Sequence, residues 1–254
     1  MGKIIKNSIK VIRYAFTLID KKFKLTEEMK ASSGGERIII KDWESAKRSG
    51  DFSTLAHIQR YEWVLPYLKN QYCLDVGCGS GYGTYHLAKN GVSRIIGIDI
   101  SSKAIKFAKN HYKEKNLEFI PMDALDLKFT NNSFDSVVSF DVLEHINERN
   151  QAKFIAEITR VLKSNGTAYI SCPNAAVRLG RNPFHQKELM RKELELLLRR
   201  YFKEVKIFGQ ELVIKGARLK ENWHKNLSKL SYQNFIITED CNLTYGLLAI
   251  AKKK

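Results

Sequence analysis

Apolar residues recur along the chain in two alternating patterns, one typical of buried strands and one typical of amphipathic helices. Short, almost continuous apolar runs alternate with longer segments in which apolar residues return every three or four positions. Such alternation predicts a doubly wound, mostly parallel α/β sheet with helices on both faces. We expect seven strands, in chain order at residues 72–76, 94–98, 117–121, 134–140, 167–172, 204–208 and 244–251.

The same pattern divides the chain into an N-terminal extension and a folded domain. Residues 1–53 predict a helix and a polar linker, and residues 54–254 the α/β domain, with a basic insertion at 212–241 that holds one helix around 223–230. Residues 3–24 form the extension's helix, which is amphipathic, basic and too interrupted by charge to span a bilayer. Such a helix suits peripheral contact with a membrane, or docking on its own domain or on a second subunit, and these alternatives stay open.

A glycine-rich turn joins the first strand to a helix that begins near Tyr82. Gly77, Gly79 and Gly81 permit a tight turn, and the amides at the helix N-terminus can then point at a ligand without side chains in the way. Asp75 lies in the strand just before the turn. Its carboxylate would repel a pyrophosphate and suits a cationic amine, so the turn predicts a cradle for a ligand with a positive charge.

A second acidic residue, Asp99, ends the next strand about 20 residues beyond the glycines. A carboxylate at this place can accept hydrogen bonds from both hydroxyls of a ribose. Because NAD-binding folds share this feature, Asp99 predicts a nucleoside ligand without defining its class.

The stretch from Leu74 to Gly81 resembles the first motif of class I S-adenosylmethionine-dependent methyltransferases, and further matches follow in the right order. The resemblance implies a Rossmann-like fold with an antiparallel last strand, and S-adenosylmethionine as the cofactor. It also implies that an acidic residue at the Asp123 position meets the adenine amino group, although a helix-capping role is the alternative for Asp123. The expected cofactor-binding residues are Tyr61, Asp75, Gly77, Gly79, Gly81, Asp99, Ile100, Asp123, Ala124 and Phe140.

Four short motifs outside the glycine turn resemble methyltransferases associated with glycan assembly. They are Gly-Glu-Arg at 35–37, His57-x-x-Arg60-Tyr61, Asn-Pro-Phe-His at 182–185 and Phe-Gly-Gln at 208–210. The resemblance implies methyl transfer to a hydroxyl of a sugar, a glycan or another small molecule. Arg60 and Tyr61 are then candidates to meet a carboxylate or to line the pocket.

Residues 141–146, Asp-Val-Leu-Glu-His-Ile, follow the fourth strand, where the active residues of open parallel sheets gather. They resemble the Glu-x-x-Glu-His stretch of small-molecule O-methyltransferases, some of which bind magnesium there, except that Asp141 takes the first acidic position. We expect His145 or His185 to accept the hydroxyl proton as catalytic bases, with Glu144 orienting an imidazole. In the open alternative, Asp141, Glu144 and His145 hold a divalent metal ion such as magnesium.

The amino-acid composition does not identify a binding partner, because the basic charge of the chain fits several kinds. The chain has 254 residues, is 44% hydrophobic and carries a net charge of +16, with basic residues spread along its length. This charge fits nucleic acid, an anionic membrane surface or a phosphorylated substrate, and equally a solvated lysine-rich surface. The four cysteines form no Cys-x-x-Cys pair, which favours a reducing, cytoplasmic location and argues against a cysteine zinc site.

Three other functions stay open from the sequence. A quinone or lipid methyltransferase would use residues 3–24 as its membrane contact. An RNA methyltransferase would explain the charge, and Cys172 ends a strand where some RNA cytosine methyltransferases carry a nucleophile, although a small buried hydrophobe is the alternative. A module that binds the cofactor without turnover is the non-enzyme alternative.

Overall fold

A computed structural model describes residues 38–40, 42–49, 51–177, 182–212, 231–239, 241 and 244–254. The helices are α1 (Trp43–Ala46), α2 (Phe52–Leu68), α3 (Tyr82–Lys89), α4 (Ser102–His111), α5 (Glu148–Val161) and α6 (Arg191–Arg199). The strands are β1 (Tyr72–Val76), β2 (Arg94–Asp99), β3 (Leu117–Pro121), β4 (Phe134–Phe140), β5 (Leu162–Pro173), β6 (Glu204–Leu212), β7 (Phe235–Thr238) and β8 (Gly246–Lys252). The predicted helices at 3–24 and 223–230 and the motif at 35–37 lie outside the described residues.

The strands form one sheet in the order β3-β2-β1-β4-β5-β8-β6-β7. The first five are parallel, and β8 runs antiparallel to both β5 and β6. This confirms the doubly wound α/β fold and the antiparallel last strand. Among the helices of the described ranges, none combines the length and the apolar character needed to cross a membrane.

The predicted count of seven strands is wrong, because the described sheet has eight. The additional strand is β7, which pairs antiparallel with β6 inside the stretch that was predicted to be irregular. Its first residue, Phe235, is buried against Phe52 of α2 and Tyr245. A run of four residues with one buried side chain is too short to stand out as a strand in the sequence.

The predicted start of the fifth strand also differs from the structure. This strand was expected at residues 167–172, but α5 ends at Val161 and β5 already starts at Leu162. Leu162 pairs with Phe134 of β4, and a register shift follows in the ladder. Asn165 takes a left-handed φ of 63° within this irregular stretch, which interrupts the regular strand pattern before residue 167.

The core has two halves, one on each face of the sheet. Leu74 and Val76 of β1 pack in the half covered by α5 and α6, whereas Cys73 packs in the half beneath α2, α3 and α4. Successive side chains of a strand point to opposite faces, so a strand buried on both faces needs an unbroken apolar run. The apolar character of β1 and β2 follows from this arrangement, and it leaves the strand ends as the place for polar residues.

Helix α6 provides a matched test of this core. Leu198→Ala is expected to lower the free energy of unfolding by about 2–5 kcal/mol, because the side chain is 0% exposed and its loss leaves a cavity. Leu196→Ala, on the same helix, removes a side chain that is 65% exposed and should change stability by no more than about 0.5 kcal/mol. Urea unfolding of both variants measures the difference, and equal losses would contradict this packing.

Candidate active site

The glycine turn lies where the first strand ends, and glycine is needed at its positions for different physical reasons. A Cβ atom at Gly77 would lie 2.3 Å from Val142 Cγ2, so packing excludes a side chain there. Gly79 has a left-handed φ of 56°, yet a Cβ atom at this position would meet no heavy atom within 4 Å. Gly79 therefore faces open space, which is what a backbone contact with a ligand requires.

The turn is tied to the end of β2. The amides of Gly77 and Cys78 both donate to the carbonyl oxygen of Ile98 at 2.8 Å. The amide of Gly79, which was expected to face the ligand, donates to Asp99 Oδ2 at 3.0 Å. The amide of Ser101 donates to Asp99 Oδ1 at 2.8 Å, so two backbone groups fix the orientation of the predicted ribose acceptor.

Asp75 is a completely buried carboxylate beneath the turn. Its Oδ2 atom accepts hydrogen bonds from Thr84 Oγ1 at 2.7 Å and from the Tyr61 hydroxyl at 3.2 Å. Its Oδ1 atom is buried and has no hydrogen-bond partner. Burial raises the pKa of Asp75 to about 6, although the bonds from Thr84 and Tyr61 oppose this shift. An orphaned acceptor of this kind fits a ligand that brings a donor, such as an ammonium group.

Three more of the predicted cofactor residues, Ile100, Asp123 and Ala124, follow the ends of β2 and β3. Asp99 pairs in register with Pro121, so Asp123 follows at the neighbouring strand end. Asp123 is exposed and its Oδ1 atom accepts a hydrogen bond from the Leu125 amide at 2.8 Å, which closes a local turn, and residues 124–126 continue as a turn and not as the helix that a capping role would need. Ile100 leaves 72% of its surface exposed beside Asp99, an apolar face suited to a flat ring.

Helix α2 presents three of the motif residues on one face, as their spacing requires. His57, Arg60 and Tyr61 are separated by three and four positions and so share a side of the helix. The Tyr61 ring lies edge-on to Phe140, with centroids 5.1 Å apart. A Cβ atom at Gly83 would lie 2.0 Å from that ring, so α2 packs directly onto the helix that follows the glycine turn.

A buried ion-pair network joins this face of α2 to the end of β4. Asp141 Oδ2 contacts the Arg60 guanidinium, and it lies 3.0 Å from His57 Nε2. The other carboxylate oxygen of Asp141 accepts a hydrogen bond from Ser171 Oγ at 2.9 Å. Arg60 Nε also donates to Gln210 Oε1 at 2.7 Å. Burial would raise the pKa of Asp141, but the charges of Arg60 and His57 outweigh it and hold the pKa well below its usual range.

This network corrects the sequence-based view of two residues. Asp141 was a candidate metal ligand, but its carboxylate turns to Arg60 and His57. Arg60 was a candidate to meet a carboxylate, and the carboxylate that it meets belongs to the chain itself. His57 carries a chemical role that was missed, although its spacing from Arg60 on one helix face could have indicated it.

A segment before α2 covers the glycine turn. Ser80 Oγ donates to the Ile38 carbonyl oxygen at 2.5 Å, and the Trp43 ring stacks on His86 at a centroid distance of 3.8 Å. Glu62 accepts a hydrogen bond from Trp43 Nε1 at 2.8 Å, and the His86 contact is the largest cause of its pKa being lowered to about 2. The sequence predicts a polar linker before residue 54, and nothing in the composition of residues 31–53 indicates that part of this linker packs over the glycine turn.

The predicted catalytic residues come together past the end of β4. Glu144 and His145 lie on the 3₁₀ turn Leu143–His145, and the ring of His185 lies 5.0 Å from that of His145. Glu144 is almost completely buried, and its carbonyl oxygen accepts hydrogen bonds from the amides of Gln186 and Lys187. The structure thus brings Glu144, His145 and His185 together and leaves Asp141 in a separate network.

Comparison with solved structures relates this fold to enzymes that use S-adenosylmethionine. A methyltransferase from Thermotoga maritima superimposes with a TM-score of 0.60 at 17% identity, covering 84% of this chain and 93% of that one. A methyltransferase from Archaeoglobus fulgidus gives a TM-score of 0.59 at 22% identity, covering 84% and 95%. At such identities the likeness establishes the fold, which is the Rossmann-like methyltransferase fold.

Comparison of sequences finds further similar proteins that are named as methyltransferases. Residues 74–170 match a family described as Methyltransferase domain. A probable S-adenosylmethionine-dependent methyltransferase of Mycobacterium tuberculosis is 32% identical over 167 residues, which are 63% of this chain and 58% of that protein. The ubiquinone biosynthesis O-methyltransferase of Pelagibacter ubique is 32% identical over 44% of this chain and 45% of its own length. The chain thus spans roughly half the length of these relatives.

The raised pKa of Asp75 predicts a specific pH dependence of stability. A carboxyl group whose pKa rises on folding binds more protons in the native than in the unfolded state, so its contribution to stability falls as pH rises. For a shift from 3.8 to about 6, the complete loss is about 3 kcal/mol, and about 2 kcal/mol of it falls between pH 4.5 and 7.5. Asp75→Asn should remove this pH-dependent loss, because an amide does not titrate, although the substitution can also change stability by the same amount at every pH.

Urea unfolding between pH 4.5 and 7.5 measures this difference. The stability of wild type relative to Asp75→Asn should fall as pH rises, while Glu118→Gln, which changes an exposed carboxylate, should follow the wild-type curve. Parallel curves for wild type and Asp75→Asn would show that the Asp75 pKa is not raised.

Proposed function

We propose that this chain, which carries a methyltransferase domain of the S-adenosylmethionine-dependent class, transfers the cofactor's methyl group to a hydroxyl group of a sugar, a glycan or another small molecule. The observation that carries the cofactor side of this proposal is the glycine turn. The turn offers open space over Gly79, the orphaned oxygen of Asp75 in the strand before it, and the Asp99 carboxylate that the Gly79 amide orients. These groups have the chemistry to hold the amino acid ammonium and the ribose of S-adenosylmethionine.

The adenine end of the cofactor would lie beyond β2 and β3. Ile100 offers an exposed apolar surface for the ring, and Asp123 is the acceptor in reach of an exocyclic amino group. At the opposite end, Tyr61 and Phe140, whose rings are in contact, would form the boundary of the cofactor site on the side of the acceptor. The sulfonium would then face the stretch that follows β4.

The acceptor side supports transfer to oxygen. The stretch 141–146 lacks the Asn/Asp-Pro-Pro-Tyr sequence suited to a base amino group and holds carboxylates and imidazoles instead. The sulfonium methyl is already activated, so the domain mainly has to align the hydroxyl oxygen, the methyl carbon and the leaving sulfur. The hydroxyl proton must also leave, and among the described residues we assign its acceptance to His145 and His185, whose rings are in contact.

A quinone or lipid acceptor is the second candidate, and the names of relatives favour it. Besides the ubiquinone enzyme, a fatty-acid O-methyltransferase of Mycolicibacterium smegmatis is 35% identical over 37% of this chain and 34% of its own length. An RNA acceptor methylated through a cysteine is disfavoured. Cys172 is buried, and that burial raises its pKa, which leaves the thiol without nucleophilic character.

Transfer of label from S-adenosylmethionine tests the function directly. The full chain is incubated with methyl-labelled cofactor and, separately, with carbohydrate, lipid and RNA fractions, and products are identified by mass spectrometry. Label on a carbohydrate or small-molecule oxygen supports the proposal, and label on a lipid or quinone supports the second candidate. Label on RNA, or cofactor binding without transfer to any fraction, would contradict both.

The cofactor site is tested by Asp99→Asn. This change keeps the size of the side chain but removes its charge and one acceptor oxygen, so S-adenosylhomocysteine should bind more weakly by about 1–3 kcal/mol, or about 5–150-fold. Isothermal titration calorimetry measures the affinity. Asp126→Asn is the control, because Asp126 is exposed and its charge partner is Lys128. Wild-type affinity in a folded Asp99→Asn variant would place the ribose elsewhere.

A further inference from the structure

A cluster of three side chains past β4 has a geometry that proton transfer alone does not require. Glu144, His145 and His185 each offer one ligand atom, and these atoms all lie within 4.8 Å of one another. Ligands about 2.1 Å from a tetrahedral zinc ion are about 3.4 Å apart, so small side-chain rotations would complete such a site. The ligands come from two segments about 40 residues apart in the chain, which the fold holds together.

Hydrogen bonds fix how the two imidazoles present their nitrogen atoms. His145 Nδ1 lies 3.0 Å from the Phe184 carbonyl oxygen, which can only accept, so Nδ1 carries the proton and Nε2 carries the lone pair. His185 Nδ1 lies 2.8 Å from Glu188 Oε1, and its Nε2 atom faces Nδ2 of Asn182 at 3.0 Å. Both contacts of His185 again place the lone pair on Nε2, where it accepts the hydrogen bond from Asn182 that a bound metal ion would replace.

This arrangement is the one found around metal-binding histidines. Such residues donate their second ring N–H to a carbonyl or a carboxylate, which orients the ring and strengthens the ligand nitrogen. Here one imidazole has a carbonyl in that role and the other has Glu188. The third ligand, the Glu144 carboxylate, is buried to 1% exposure, where a cation is held more strongly than by an exposed acidic group.

The donor set also indicates which metal fits. The magnesium site expected from the sequence relied on Asp141, whose carboxylate is engaged by Arg60 and His57. Replacing that oxygen with a second imidazole nitrogen leaves two nitrogen ligands and one oxygen ligand. Magnesium prefers oxygen ligands, whereas zinc and cobalt bind imidazole well.

We propose that Glu144, His145 and His185 bind a divalent transition-metal ion of the zinc type, through one carboxylate oxygen and two Nε2 atoms. Three protein ligands leave coordination positions open, as in catalytic rather than structural metal sites. An acceptor with oxygens on two adjacent atoms, such as a vicinal diol or a catechol, is the class that could fill two positions when the ion expands from four to five ligands. That substrate class rests on the proposed methyl transfer, whereas metal binding itself does not.

Metal titration of the full chain tests the site without any activity assay. After removal of any affinity tag and dialysis against chelator, Co²⁺ is added and its visible absorption is followed, and Zn²⁺ is then added in competition. Wild type should bind one equivalent of either ion more tightly than Mg²⁺. His145→Ala and His185→Ala should each weaken binding by at least about 100-fold, and Glu188→Gln, which only orients His185, by about 10–100-fold.

His111→Ala is the matched control, since this histidine is exposed at the end of α4 and should leave metal affinity unchanged. Each variant is accepted for comparison when it binds S-adenosylhomocysteine like wild type, which shows that its domain is folded. Equal metal affinity in wild type and in the His145→Ala/His185→Ala double variant would overturn the proposal, as would a site selective for Mg²⁺. Failure of the wild-type chain to bind S-adenosylhomocysteine would instead contradict the proposed function.

Discussion

The ion pair between Arg60 and Asp141 is the interaction on which the rest of the site depends. Both side chains are largely removed from solvent, so each charge needs the other, and removing one partner of such a pair typically costs about 3–5 kcal/mol. The pair connects α2 to the end of β4, and the Arg60 guanidinium also donates a hydrogen bond to Gln210 of β6. Three elements distant in sequence are thereby held at one point beside the glycine turn.

Two consequences follow from that fixed point. On one side, α2 lies against the helix after the glycine turn, where the Tyr61 hydroxyl donates to the Asp75 carboxylate. On the other side, the backbone after Asp141 is directed into the 3₁₀ turn that carries Glu144 and His145. The ion pair therefore lies between the groups proposed to hold the cofactor and those proposed to meet the acceptor, and it keeps Asp141 from joining the cluster of imidazoles.

The sequence predicts the parts of this structure that depend on local pattern. The five parallel strands, the glycine turn and Asp99 at a strand end all follow from apolar runs, glycine spacing and the position of an acidic residue. It does not predict β7, because Phe235 becomes recognisable as a core residue only through Phe52 and Tyr245.

The partners of Asp141 were missed for a related reason. Arg60 and Asp141 lie 81 positions apart, and no periodicity links them. The same limit explains the cover formed by Trp43, whose stacking partner His86 belongs to a different helix. Local chemistry identified which residues matter, whereas long-range packing decided what each of them contacts.

Hydrogen–deuterium exchange of the full chain, with and without saturating S-adenosylhomocysteine, tests the central claim most directly. The account predicts slower exchange at three places when the ligand binds, namely the glycine turn 77–81, residues 99–101 after β2, and residues 122–125 after β3. Exchange in α6 should not change, because that helix lies on the other face of the sheet, remote from the turn. Unchanged exchange at all three places, or protection confined to other parts of the chain, would contradict a cofactor site at the glycine turn.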